Sequence, residues 1–278
     1  MDGQSPVANL QTYGRRDVAA HYAALDYLTP CERLLFETYI PQGSAILDLG
    51  VGGGRTTPYL ASRASRYVGV DYAVSMVEVC RTKFPDLEFV VADAADLSVF
   101  KDSSFDAVVF AFNGIDYVLP DDRRRSCLRH IHRVLKPGGC AIFSSHNPRS
   151  VIIRPSWNRE RLQSMAERYS AGSNVLYWLL HTALTLARFT VACGQASIAS
   201  LRRAVRRLPA QMFWRGEGTL VDSAHGGLLT HYSTPERVIA EVAGFHLHPA
   251  HVLGDDYPRS SHPYLTDWYY YVFTKPEK

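Results

Sequence analysis

The segment Ile46-Leu-Asp-Leu-Gly-Val-Gly-Gly-Gly-Arg55 runs from an apolar stretch into glycines at 50, 52 and 54. Glycine admits positive φ and lets a ligand lie against bare backbone, and a helix starting there offers free N–H groups. Such a turn suits a nucleotide-like ligand, and dinucleotide enzymes use one too. Two carboxylates narrow the chemistry. Seventeen residues after Gly54, Val68-Gly-Val-Asp71 ends on an acid that can accept hydrogen bonds from both hydroxyls of a ribose. Phe89-Val-Val-Ala-Asp93-Ala94 ends on another, placed for the amino group of an adenine. Three histidines are candidate bases: His146 in Ser144-Ser-His-Asn147, and His225 and His231 on either side of Gly226-Gly-Leu-Leu-Thr230. Each could equally be an ordinary hydrogen bonder in a loop or core. His246, His248 and His251 read as structural or surface residues, and no His/Cys/Asp cluster has metal-ligand spacing.

These residues need a scaffold that brings strand ends together. Apolar runs at Ala45–Leu49, Tyr67–Val70, Leu87–Val91, Phe105–Phe112 and Cys140–Ser145 predict strands buried on both faces. Helical patterns at Arg55–Arg63, Val74–Lys83 and Arg123–Leu135 lie between them. This alternation predicts a doubly wound α/β sheet, whose ligands bind at the strand C-terminal ends. Helices are expected at Asp17–Leu28 and Pro30–Tyr39 ahead of it. Later come sheet character at Phe245–Leu253 and Trp268–Phe273, and a helix at Pro235–Ala243 with Thr234 as N-cap and Gly244 as C′.

Hydrophobic residues are 46% and charged residues 21% of the 278, which excludes a disordered or fibrous chain. The formal charge of +3 hides a division. Residues Val151–Arg215 hold ten arginines, no lysine and two acids, a net of +8, and the remainder carries −5. Five scattered cysteines and a polar start without an apolar signal core predict a reducing, cytoplasmic setting.

The order ILDLGVGGG, GVD, VADA, FDAVVFAFNGIDYV and VLKPGGCAIF resembles the class I S-adenosylmethionine-dependent methyltransferases. The resemblance covers about 45–146 motif by motif, and 216–278 only in its strand–helix–strand pattern. It implies a Rossmann-like, mostly parallel seven-stranded sheet, here with a helical insertion after strand five. It also implies S-adenosylmethionine as cofactor. Asp48 and the backbone of Gly50, Gly52 and Gly54 would hold the methionine end. Asp71 would bind the ribose, Tyr72 and Met76 would flank the adenine, Asp93 and Ala94 would meet its edge, and Phe112 and Asn113 would sit beside the cofactor. Tyr22, in Asp17-Val-Ala-Ala-His-Tyr22, resembles a lid tyrosine that closes over the sulfonium. The third consecutive glycine, Gly53, departs from the pattern and is expected to matter little.

The expected division is an N-terminal arm or lid (1–40), a cofactor-binding core (41–150 plus 216–278) and a basic helical cap (151–215) over the acceptor pocket. The reaction expected is transfer of the methyl group to oxygen or nitrogen of a small molecule such as a specialised metabolite or sugar. The Arg202, Arg203, Arg206 and Arg207 face admits an anionic acceptor or a merely solvated helix. Nucleic acid is disfavoured by the acidic core and the lack of a binding module. The apolar run Val175–Cys193 contains His181 and Arg188, favouring a buried lid helix or a homodimer contact over membrane contact. A catalytically silent cofactor-binding scaffold is the alternative. A nicotinamide oxidoreductase is disfavoured by G-x-G-x-G and by Lys136-Pro-Gly-Gly139.

Overall fold

A computed structural model describes residues 9, 12–149, 215–222, 228–255, 257–258 and 266–277. Strand β1 (Ser44–Leu49) is buried at every position and pairs in parallel with β2 (Ala64–Asp71) and β4 (Phe105–Phe110). Beyond these, β3 (Glu88–Val91) and β5 (Leu135–His146) also pair in parallel. β9 (Trp268–Thr274) enters antiparallel between β5 and β8 (His248–Gly254), giving the order β3-β2-β1-β4-β5-β9-β8. The order reverses at β1, so the ends of β1 and β4 open a crevice where open α/β sheets take ligands. Cores lie on both faces of this sheet. One gathers Leu47, Phe105, Val108, Phe143 and Phe273, the other Ile46, Tyr67, Val109, Ile142 and Tyr270.

Helix α1 (Arg16–Ala23) is shorter than Asp17–Leu28. Its end is fixed from outside, since the Lys83 ammonium donates to the Ala23 carbonyl at 2.9 Å and also to that of Gly53. The chain then re-enters helix at α2 (Pro30–Tyr39), where Thr29 and Glu32 form a reciprocal capping box. Helices α3 (Thr57–Arg63), α4 (Val74–Lys83) and α5 (Asp121–Val134) are the crossovers between parallel strands. α1 packs on α4 through Val18, Ala19, Ala73 and Met76.

Several expectations change. Strand five, expected at Cys140–Ser145, begins already at Leu135, and Leu135-Lys-Pro-Gly-Gly139 is its irregular first half, with a register shift opposite Phe105/Ala107 and Lys136 paired to Asp106 at 2.8 Å. Strand β8 starts at His248 because the chain keeps winding after helix α6 (Pro235–Ala243): Phe245 and His246 still donate to Val242 and Ala243. Gly244 stays right-handed there, and His246 takes the positive φ of 58°. The stretch read as a loop around Leu228–Thr230 belongs to an antiparallel hairpin, β6 (Glu217–Asp222) and β7 (Leu228–Ser233). His231 therefore sits on a strand and is buried. His225 and the expected features of 151–214 lie outside the described residues. No described helix is long and apolar enough to cross a membrane, and no described group of His, Cys, Asp and Glu could hold a metal ion.

Candidate active site

At the end of β1 the backbone turns left-handed at Gly50, Gly52 and Gly54, with φ of 59°, 55° and 83°. A Cβ on Gly50 would lie 2.6 Å from the Phe110 ring, and one on Gly54 2.6 Å from Phe84. Gly53 matters more than its place outside the motif suggests. A Cβ there would run into the backbone of Tyr22 and Ala23, so only glycine lets the end of α1 lie on the loop.

The carboxylates below the loop are buried. Asp48 accepts from Thr56 at 2.7 Å and from Tyr67 at 2.8 Å; burial nevertheless pushes its pKa up to about 6. Asp71 accepts the Gly52 N–H at 3.0 Å and the Ala73 N–H at 2.9 Å, and burial likewise raises it to about 6. Each Asp71 oxygen thus keeps acceptor capacity beyond one backbone N–H. Asp93 accepts from Ala95 N–H and pairs with Arg123, so any adenine amino group would share it with a guanidinium.

These groups line one cavity of about 300 Å³. Asp48, Gly50, Gly52, Asp71, Tyr72, Met76, Asp93, Ala94, Phe112 and Tyr22 all border it; Gly54, Asn113, His146 and His231 do not. The sequence reading missed Tyr13 and Tyr117. Tyr13 lies about 6 Å, ring to ring, from each of Tyr22, Tyr72 and Tyr117, which makes an aromatic wall. Burial and its tyrosine neighbours raise the Tyr13 pKa far above its usual value, keeping the phenol neutral. Arg55, read only as a helix start, also borders the cavity. It forks onto buried Glu32 at 2.5 and 2.7 Å and lies over the Phe112 ring.

Behind the wall lies a charged cluster that the sequence reading did not assemble. Asp116, in the short 3₁₀ turn Gly114–Tyr117, is fully buried. It accepts from His146 Nδ1 at 2.8 Å, from the His146 N–H at 2.7 Å, from Ser145 Oγ at 2.7 Å and from Arg124 at 3.2 Å. Burial would raise its pKa. The His146 hydrogen bond and the charges of His146, Arg124 and His231 instead hold it below the usual carboxylate range. Arg124 pairs in turn with Glu241 on α6 at 3.0 Å. The one signal available in the sequence was Asn113-Gly-Ile-Asp116 itself, an acid just past a strand end.

Residues 46–139 match a family model described as a methyltransferase domain. A demethylmenaquinone methyltransferase of Clavibacter sepedonicus is 42% identical over 100 residues, 35% of this chain and 39% of that protein. The segments shared with the first curated relatives span about two fifths of their length. A cypemycin N-terminal methyltransferase of a Streptomyces species is 30% identical over 178 residues, covering 59% of this chain and 71% of that protein. The chain belongs to the class I S-adenosylmethionine-dependent methyltransferases. The CcbJ methyltransferase of Streptomyces caelestis has the same fold, with a TM-score of 0.59 at 17% identity over 95% of this chain and 98% of that one.

S-adenosylmethionine is accordingly the cofactor of this methyltransferase, and the cavity fits it. The bare backbone at Gly52 leaves room, since a Cβ there would meet nothing closer than the Tyr22 ring at 3.8 Å. Asp71 supplies a buried acceptor for hydroxyl donors, and the tyrosine wall offers ring faces to a cation.

Proposed function

We propose that this methyltransferase moves a methyl group from S-adenosylmethionine to an oxygen or nitrogen of a small-molecule acceptor, with His146 as general base. When bound, S-adenosylmethionine supplies a methyl carbon already activated by the sulfonium, and the electron pair of the breaking C–S bond stays on sulfur. The protein's own work is alignment, exclusion of water and removal of one proton. Asp71 would hold the ribose, Asp93 and Ala94 the adenine edge, and Tyr72 and Met76 its faces. Asp48 and the backbone of Gly50 and Gly52 would carry the methionine end. Tyr22, joined by Tyr13, would close over the sulfonium.

The contact between Asp116 and His146 carries this reading. An ionised, buried carboxylate on Nδ1 holds the neutral ring in the tautomer whose Nε2 is the acceptor nitrogen. Small-molecule acceptors are supported by the names of two relatives, a demethylmenaquinone methyltransferase and a fatty-acid O-methyltransferase of Mycolicibacterium smegmatis. We extend the proposal to an arm at 1–40, a core at 41–150 plus 216–278, and a basic cap at 151–215. The cap would receive an anionic acceptor or form a homodimer contact, in a cytoplasmic protein with no nucleic-acid or membrane partner.

A screen with methyl-labelled S-adenosylmethionine against phenols, carboxylic acids, amines and sugars tests the activity. Replacing His146→Gln is expected to lower turnover by about 10²–10⁴ with S-adenosylhomocysteine affinity unchanged. Equal turnover would remove His146 from the chemistry.

A further inference from the structure

Asn113, expected beside the cofactor, does not border the cavity and lies behind it at the Asp116–His146 cluster. It follows Phe112 out of β4, and both residues take positive φ, 55° and 62°. Its backbone is pinned, with its N–H on Ser144 Oγ at 2.7 Å and its carbonyl accepting from Asp116 N–H at 3.0 Å. Its amide stands 3.2 Å from His146 Nε2. The side chain is buried, and Oδ1 has no hydrogen-bond partner among the described residues. A buried, unsatisfied amide oxygen at a catalytic cluster calls for a reason.

The tautomer supplies one. Asp116 claims the proton on Nδ1, so in the neutral ring Nε2 is a bare acceptor and the amide must present its Nδ2–H₂ there. The amide must leave the single Nε2 lone pair before that lone pair can take a proton from the acceptor, and the situation then inverts. The electron pair that proton leaves behind becomes the new bond to carbon, and Nε2–H now faces an amide donor. Oδ1, idle in the neutral state, lies on the same amide, and a half-turn about the Cβ–Cγ bond brings it to Nε2–H.

We propose that Asn113 is a positioning residue for the base, whose amide turns over with the protonation of His146. In the neutral state it holds the ring edge ready, and in the charged state it shields the proton from return. This rests on His146 acting as the base, as proposed above. Around the ring, the other groups are fixed or already committed. Asp116 bonds Nδ1, Arg124 neutralises Asp116 from α5 and is itself paired to Glu241 on α6, and Tyr117 and Tyr232 present ring faces at 6.2 and 5.1 Å. His231 adds its charge to Asp116 from β7. Asn113 bonds Nε2.

The NMR measurement needs no acceptor and uses the full chain with saturating S-adenosylhomocysteine. Protein labelled with ¹⁵N in asparagine and histidine is followed by NMR as the pH is lowered until the His146 ring carries both protons. His146→Gln and Asn113→Leu identify the signals. As the His146 ring gains its second proton, the Asn113 amide hydrogen bonded to Nε2 is expected to lose its downfield shift over the same pH interval. That response should vanish in His146→Gln. An Asn113 signal that stays put while the ring protonates overturns the proposal, as does a neutral ring found with its proton on Nε2. In Asn113→Asp, which can only accept, the ring should carry both protons at a pH where the wild type carries one; a singly protonated ring there also overturns it. A coupled amide combined with full turnover in His146→Gln would instead mean that the base reading alone has failed.

Discussion

Asp71 is held in a state that a ligand can improve. Burial raises its pKa from 3.8 to about 6 against the backbone N–H groups of Ala73, Gly52 and Tyr72, which lower it. Ribose hydroxyls would donate to the ionised form and so lower that pKa in the complex. By linkage, affinity for S-adenosylhomocysteine should be flat above about pH 6 and fall by up to tenfold per unit below it. Calorimetry should show Asp71→Asn binding at least tenfold more weakly, about 1.4 kcal/mol, and without that contribution to the pH slope. A slope unchanged in the variant would assign the titration elsewhere, Asp48 being the other carboxylate raised to about 6. The folded protein binds these protons more tightly than the unfolded chain does. The two acids therefore add stability below about pH 4 that is lost as pH rises through about 6.

At the scale of elements, the arm and the glycine loop act as one unit. Helix α1 is only eight residues and could not persist alone. It is held by Lys83 on two carbonyls, by four small and medium apolar side chains, and by the bare Cα of Gly53. Gly53→Ala should push the arm away while leaving the sheet intact. Hydrogen exchange is expected to accelerate across 16–23 but not in β1, β4 or β5, and S-adenosylhomocysteine affinity should fall several-fold. Unchanged exchange in the arm would show that the contact is dispensable. Helix α2 makes the opposite case, being anchored by Glu32, which is at once its capping partner and the counter-ion of Arg55. Glu32→Ala leaves Arg55 buried without its carboxylate, and denaturant unfolding should show a loss of about 3–5 kcal/mol. A loss under about 1 kcal/mol would mean that Arg55 finds water or another partner.

Across the whole molecule, the cofactor cavity is assembled from the ends of four strands, the 3₁₀ turn and the arm, which meet only in the folded chain. A ligand that binds there binds the native state alone. S-adenosylhomocysteine at 100 times its Kd should therefore add about 2.7 kcal/mol of stability. In a thermal melt that amounts to a rise of about 5–10 °C for a domain of this size. NADH at the same concentration should give no rise; the reverse pattern would contradict the cofactor assignment.

Local pattern determined a good deal. Five apolar runs with intervening helices predict the parallel sheet, and Gly50, Gly52, Asp71 and Asp93 announce a nucleoside site, because strand burial and left-handed turns demand those residue types where they occur. The same locality explains the misses. Nothing near Leu228–Ser233 distinguishes a hairpin from a loop, since its partner strand is chosen by pairing across Glu217–Asp222. Tyr13 and Tyr22 are nine positions apart in an arm whose curvature is set by Lys83 and Gly53. Asp116, Arg124, His146 and Glu241 span 126 residues and come from a turn, a helix, a strand and a second helix. Buried charges must neutralise one another wherever the chain brings them together, so which histidine meets which carboxylate was decided by the tertiary structure alone.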